Sequence, residues 1–327
     1  MLYLMMLLCL QGQAEPALIL PDRTYRGQTI WDLPNAVEAE IDMGLWALIL
    51  AKHVQPDLDI PRYLAILDEI AAVVQRGLPS DNDDMAVLMI TQIVLYQPGH
   101  WNNSQVYRYD LDDPFGDRGH NRLLSTYIDT RLGNCVSMPT LYWAVLQRVD
   151  PGLELYGVEA PHHLFFRMRN RQTGAWVNME ATNGKTARDV WIQEQTGVTK
   201  AQIKAGLYMK NLSKKQVLAV LLRDIEQRAV VAGDWQEALR INALIEQVDG
   251  QAVWVRVNRA AILHKEVEAM VGAAAQAGRR LTQEEYRLAK EKSEAGEALF
   301  AWARERGWVP LDPEIRRKTA SPEAKKP

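Results

Sequence analysis

The chain has 327 residues, 47% of them hydrophobic and 24% charged, with 38 Lys and Arg against 41 Asp and Glu. This is the balance of a globular protein long enough for one core plus an accessory helical region. A net charge of −3 gives no general attraction to nucleic acid, and the sequence holds neither a basic aromatic cluster nor a glycine-rich phosphate loop, so no nucleic-acid partner and no nucleotide cofactor are expected.

The N-terminus reads as a signal peptide over residues 1–14. Leu2 to Leu10 is apolar but too short for a membrane span, and Gly12 and Ala14 supply small residues for cleavage before Glu15. No positive charge precedes the apolar run, and Leu8 before Cys9 argues against lipid attachment. Export to the periplasm or the exterior follows, with no integral span after cleavage; the competing reading is a buried N-terminal helix in a cytoplasmic protein. After cleavage Cys135 would be the one remaining cysteine, unable to form an internal disulfide.

Residues 15–96 form a helical region. Val37, Ile41, Leu45, Leu48 and Ile49 recur at helical spacing, as do Tyr63, Ile66, Leu67, Ile70 and Val74, so both sets are expected as core stripes. Residues 97–118 are rich in Gly, Pro, Asp and Asn and predict a surface connection. Asp110, Asp112, Asp113 and Asp117 imitate a calcium loop without its closing Glu, so a solvated acidic loop beside a cleft is expected. Asn121 is a candidate oxyanion donor or, alternatively, a helix cap.

Cys135 precedes the apolar run Thr140-Leu141-Tyr142-Trp143-Ala144-Val145-Leu146, which places its thiol at the mouth of a predicted helix. Unpaired backbone N–H groups there favour thiolate over thiol, which makes a nucleophile; the alternative for a lone Cys is an inert core filler. Downstream, Leu153 to Val158 and His163 to Arg169 read as strands separated by Ala160-Pro161-His162. A turn over Asn170 to Gly174 leads to a third strand, Ala175 to Glu180, before the Asn183-Gly184 turn. If the loop is Asn170 to Thr173, His163 stands opposite Glu180 on one face; a loop one residue longer puts Glu180 on the other face unless a bulge intervenes. Sequence leaves the loop length open. His162 and His163 point to opposite faces and no spaced Cys or His set accompanies them, so no metal is expected and His162 reads as a loop or second-face residue.

After Gly184 the chain is predicted to be helical throughout. Ser213 and Gln216 form a capping box ahead of Val217, Leu218, Val220, Leu221 and Ile225. Gly233-Asp234-Trp235-Gln236-Glu237-Ala238-Leu239 resembles the turn and second helix of a tetratricopeptide repeat; further helices run from Val253 to Val271 and Leu281 to Arg306. Too few repeats are visible to bury their own faces, so residues 212–310 are expected to dock on the core, as a partner-binding surface or as a buttress. The basic, proline-bearing end, residues 311–327, reads as a disordered tail.

Gly133-Asn134-Cys135-Val136-Ser137-Met138-Pro139, the segment from Tyr156-Gly157-Val158 through His162-His163-Leu164-Phe165-Phe166-Arg167, and Trp176-Val177-Asn178-Met179-Glu180-Ala181-Thr182 together resemble the Cys, His and acid motifs of the transglutaminase-like (papain-like) superfamily. The likeness is to its bacterial branch with C-terminal tetratricopeptide-type helices and runs from about Val37 to Lys265. It implies an α+β fold with a catalytic core over residues 97–211, Cys135 as nucleophile, His163 as base and Glu180 as orienting acid, with no cofactor. Many members carry Asp where Glu180 stands, and Asn178 on the same face is the substitute for that role. Relatives in the branch often lack the Cys, which is present here. The implied activity is acyl transfer on a peptide or carboxamide, with hydrolysis favoured over cross-linking; the competing function is a silent peptide- or protein-binding scaffold.

Overall fold

The computed structural model describes residues 21–80, 83–118 and 120–310; the signal-peptide and disordered-tail expectations lie outside the described residues. Helices α1 (Met43–Val54), α2 (Ile60–Gly77), α3 (Asp84–Tyr96), α4 (Leu124–Thr130) and α5 (Ser137–Val149) build the first half. Every residue of α5 from Ser137 to Arg148 is buried. A helix with no exposed face must be surrounded, and α1 to α4 pack around it. At its far end Gln147 accepts from the Met43 N–H at 2.9 Å and donates to the Ile41 carbonyl at 2.7 Å. The buried Arg148 guanidinium stands 3.0 Å from Asp42, whose other oxygen caps α1 by accepting from the Leu45 N–H. That cap corrects the first predicted stripe: the helix starts at Met43, and Val37 is 54% exposed ahead of it. The second stripe lies on α2, with Tyr63, Leu67 and Val74 buried.

Two short strands, β1 (Arg108–Tyr109) and β2 (Leu132–Gly133), pair in parallel. The main sheet is antiparallel in the order β3 (Glu154–Ala160), β4 (His163–Arg169), β5 (Trp176–Glu180) and β6 (Lys185–Ala187). One face packs Leu164, Phe166 and Met168 into the main core, where Tyr142 and Phe166 rings lie 5.1 Å apart. The other buries Val158, Ala160 and Phe165 under α6 (Asp189–Thr196) and α7 (Lys200–Lys204), against Ile192, Val198 and Met209. Strand β6 corrects the expectation that the chain is helical throughout after Gly184.

The β4–β5 register also differs from the short-loop expectation. Arg169 pairs with Trp176 and Arg167 with Asn178, so the loop spans residues 170–175 and Glu180 is not directly opposite His163. The shift is two residues, which preserves the face. Asn170 holds the loop, its side-chain oxygen accepting from the Thr173 N–H and hydroxyl. The Asp84 carboxylate, fully buried at the start of α3, accepts from the Arg171 N–H at 2.7 Å and from the Arg171 guanidinium at 2.9 and 2.5 Å.

Helices α8 (Lys214–Ala232), α9 (Trp235–Asp249), α10 (Val253–Gln276) and α11 (Gln283–Glu305) follow, and the Ser213–Gln216 capping box opens α8 as predicted. This helix docks on the core, as expected of the region: Gly157 of β3 exchanges backbone hydrogen bonds with Leu212, and a Cβ at Gly157 would come within 2.2 Å of Val217 Cγ2. Only glycine admits that approach.

Burial works against the Asp84 charge, but the Arg171 hydrogen bonds outweigh it and hold the carboxyl below its ordinary value. A carboxylate whose folded pKa is depressed adds stability above its unfolded pKa and loses it as pH falls through the folded value. Asp84→Asn should therefore cost about 1–2 kcal/mol at pH 7, after allowance for the half-exposed Arg171, with the cost shrinking below about pH 4. Urea denaturation of both proteins across that range checks this.

Candidate active site

The segment that carries Cys135 is fixed from both sides. Pairing of β1 with β2 aligns Tyr109 with Gly133, two residues before Cys135. The Asn134 side-chain oxygen then accepts from the Val136 and Ser137 N–H groups at 3.0 and 3.2 Å, and its carbonyl accepts from the Met138 N–H. Residue 139 is proline and has no N–H. The helix start therefore offers no vacant amide at residues 136–138, correcting the expectation of open donors there.

Asn134 is held in turn by its Nδ2, which donates to the Asn121 carbonyl at 2.9 Å. Asn121 donates its own side-chain N–H to Asp113 at 2.6 Å, and the same buried carboxylate accepts from the Asp117 and Arg118 N–H groups. Asn121 thus ties the Asn134 loop to the Asp113 turn. Residues 97–118 are likewise more than a surface connection: Tyr107 and Asp113 are buried, and Asp113 organises the turn as a hydrogen-bond acceptor. Gly116, at φ +64°, sits so close to Asn134 Nδ2 that a Cβ would come within 2.3 Å of it.

His163 opens β4 at the end of a two-residue loop, Pro161-His162, in which His162 takes φ +54°. Its Nε2 lies 2.5 Å from Glu180 Oε2, with both side chains buried. The other carboxylate oxygen accepts from the Thr182 N–H at 3.1 Å and hydroxyl at 2.5 Å. An ionised carboxylate only accepts, so with Glu180 ionised the ring proton would sit on Nε2 and Nδ1 would be the basic nitrogen. Asn178, the alternative orienting group, binds Arg167 at 2.6 Å and Asp189 at 2.6 Å instead.

Cys135 Sγ lies 3.6 Å from the carbonyl oxygen of His162, the residue preceding the imidazole. Tyr109 was not singled out from the sequence. Burial first, then the charges of Cys135 and Glu180, push its phenol above the ordinary tyrosine range, so its ring feels both groups. Its hydroxyl donates to the Pro114 carbonyl at 2.8 Å, tying the Asp113 turn to the same place. Only the β1–β2 pairing brings it there, and two-residue strands leave no periodic signal in a sequence.

Cys135, His162 and His163 line one cleft of about 920 Å³. Phe115, Gly116 and Asp117 form one side; Val220, Arg223, Gln227 and Val231 of α8 form another. Among the described residues no group of three or more His, Cys, Asp or Glu could hold a metal ion, and no helix is long and apolar enough to cross a membrane.

Comparison with curated proteins and with solved structures returned no match. A family model described as the transglutaminase-like superfamily matches residues 61–223, a narrower span than the resemblance from Val37 to Lys265. The matched residues include the Cys135 segment, β4, β5 and the first half of α8. Residues 61–223 are thus a transglutaminase-like superfamily domain.

Proposed function

We propose that the protein is a thiol-dependent acyl-transfer enzyme acting on peptide or carboxamide bonds, with Cys135 as nucleophile, His163 as general base and acid, and Glu180 as the orienting carboxylate. The observation that carries this reading is the buried 2.5 Å contact between His163 Nε2 and Glu180 Oε2, in a cleft that Cys135 also lines. A buried imidazole–carboxylate pair is costly to build for stability alone. Beside a thiol it has a chemical use.

In the proposed reaction the Cys135 proton passes to His163 Nδ1 and the thiolate attacks the carbonyl carbon. The C–N bond then breaks, and the leaving amine takes the proton back from the imidazolium. Water, deprotonated by the same nitrogen, releases the acid and restores the thiol. Glu180 stays ionised throughout, held by the two Thr182 donors, and stabilises the imidazolium. Water enters wherever the substrate leaves the cleft open, whereas cross-linking needs a second site for an acceptor amine. Hydrolysis is therefore the reaction proposed. Export, as expected from residues 1–14, remains part of the proposal.

Two measurements test it. Alkylation of Cys135 by iodoacetamide at pH 6.5 should be about tenfold faster in wild type than in His163→Ala, because the imidazole supplies the thiolate; equal rates would leave a binding scaffold. In a screen of amidated peptides, Cys135→Ala should abolish turnover. Glu180→Gln should lower kcat by about 10²–10⁴, since an amide nitrogen facing Nε2 favours the wrong tautomer.

A further inference from the structure

The cleft continues past the cysteine along α8, beyond residue 223 where the family match ends. Its charged wall residues all have oppositely charged wall partners. Arg223 lies 2.6 Å from Glu159, Arg122 lies 3.1 Å from Asp117 and 3.8 Å from Asp224, and Arg228 lies 2.8 Å from Asp224. An ionic group entering this space meets no unmatched counter-charge, so it loses hydration or must break an existing pair.

The remaining wall is of a different kind. Val220 and Val231 give apolar surface, and Val231 is 80% exposed. Gln227 presents an exposed carboxamide. Asn258 donates its Nδ2 to the buried Glu226 at 2.5 Å, which leaves its carbonyl oxygen as an acceptor. Neutral donors and acceptors between apolar patches match an amide backbone with uncharged side chains. At about 920 Å³ the cleft stands near the top of the roughly 300–1,000 Å³ range of small-ligand sites. A scissile amide alone does not fill it.

Resting on the acyl-transfer reading, we propose that the α8 wall is a substrate subsite that selects an extended peptide segment with uncharged side chains, Gln227 and Val231 being its specificity determinants. Full-length Cys135→Ala protein should be titrated against a fluorescein-labelled octapeptide of Ala, Val and Gln, and against versions with Lys or Glu at the two central positions. Fluorescence anisotropy should show the neutral peptide binding at least about tenfold more tightly than either charged one. Val231→Asp, a change at an exposed position, should weaken the neutral peptide at least about fivefold and narrow its lead over the Lys peptide. Equal binding of all three, binding of none, or indifference to Val231→Asp overturns the proposal. His163-dependent alkylation does not read α8, so its persistence alongside equal binding sinks the subsite alone. Neutral-peptide preference without such alkylation leaves the subsite standing on a cleft that lacks chemistry.

Discussion

An imidazole on one strand and a carboxylate on the next can touch only if both residues stand on the same face of the sheet. Side chains alternate with period two, so any odd change in the β4–β5 register would carry Glu180 to the far side of the sheet from His163. The loop over residues 170–175 has the parity that keeps them together. Asp84 grips that loop from the start of α3, and Tyr96 at the end of the same helix lies near enough to Glu180 to feel its charge, so α3 braces the β4–β5 hairpin at both ends. Orientation is then local: Thr182 occupies one Glu180 oxygen, and the other is left for the ring.

The Cys135 segment is held by a different device. Asn134 takes up the first amides of α5 with a neutral oxygen, which satisfies the donors without cancelling the helix dipole. Asp113, Asn121 and Asn134 form one chain of hydrogen bonds, so the acidic turn sets the position of the cysteine loop. This use of Asp113 explains why a cluster of carboxylates in that turn need not be a cation site. Its oxygens accept from backbone and side-chain N–H groups of the turn itself.

Elements with strong periodicity or capping were readable before any coordinates: α2, α5, β4, β5 and the start of α8 fall where pattern and caps put them. Cys135, His163 and Glu180 stand out as candidates in the sequence because each lies in a motif flanked by an element of clear type. What escaped was set by tertiary contact. Val37 fits a helical spacing, yet Asp42 captures the Leu45 N–H and starts α1 six residues later. Tyr109 and Asp113 sit in a segment whose Gly, Pro and Asp content resembles solvent-exposed loop, because turn chemistry is the same whether the turn is wet or buried. The loop length between β4 and β5 was open for the same reason, since Arg171 reads as a surface residue until Asp84 is placed beside it.

The close approach of α8 to β3 joins the helical extension to the site. At Gly157 the absence of a side chain lets Val217 lie directly on the strand, and β3 ends one turn before His163. Two turns further along the same helix, Arg223 pairs with Glu159 of β3, fixing the rotation of α8 about its axis as well as its distance. Burial alone would pull the Arg223 guanidinium down, and Glu159 more than offsets it. With both distance and rotation fixed, Gln227 and Val231, four and eight residues beyond Arg223, fall on the same helical face and face the cleft. The extension is thus coupled to the cleft through Gly157 and the Arg223–Glu159 and Arg122–Asp224 ion pairs, and the surface it presents beside Cys135 follows from helical periodicity.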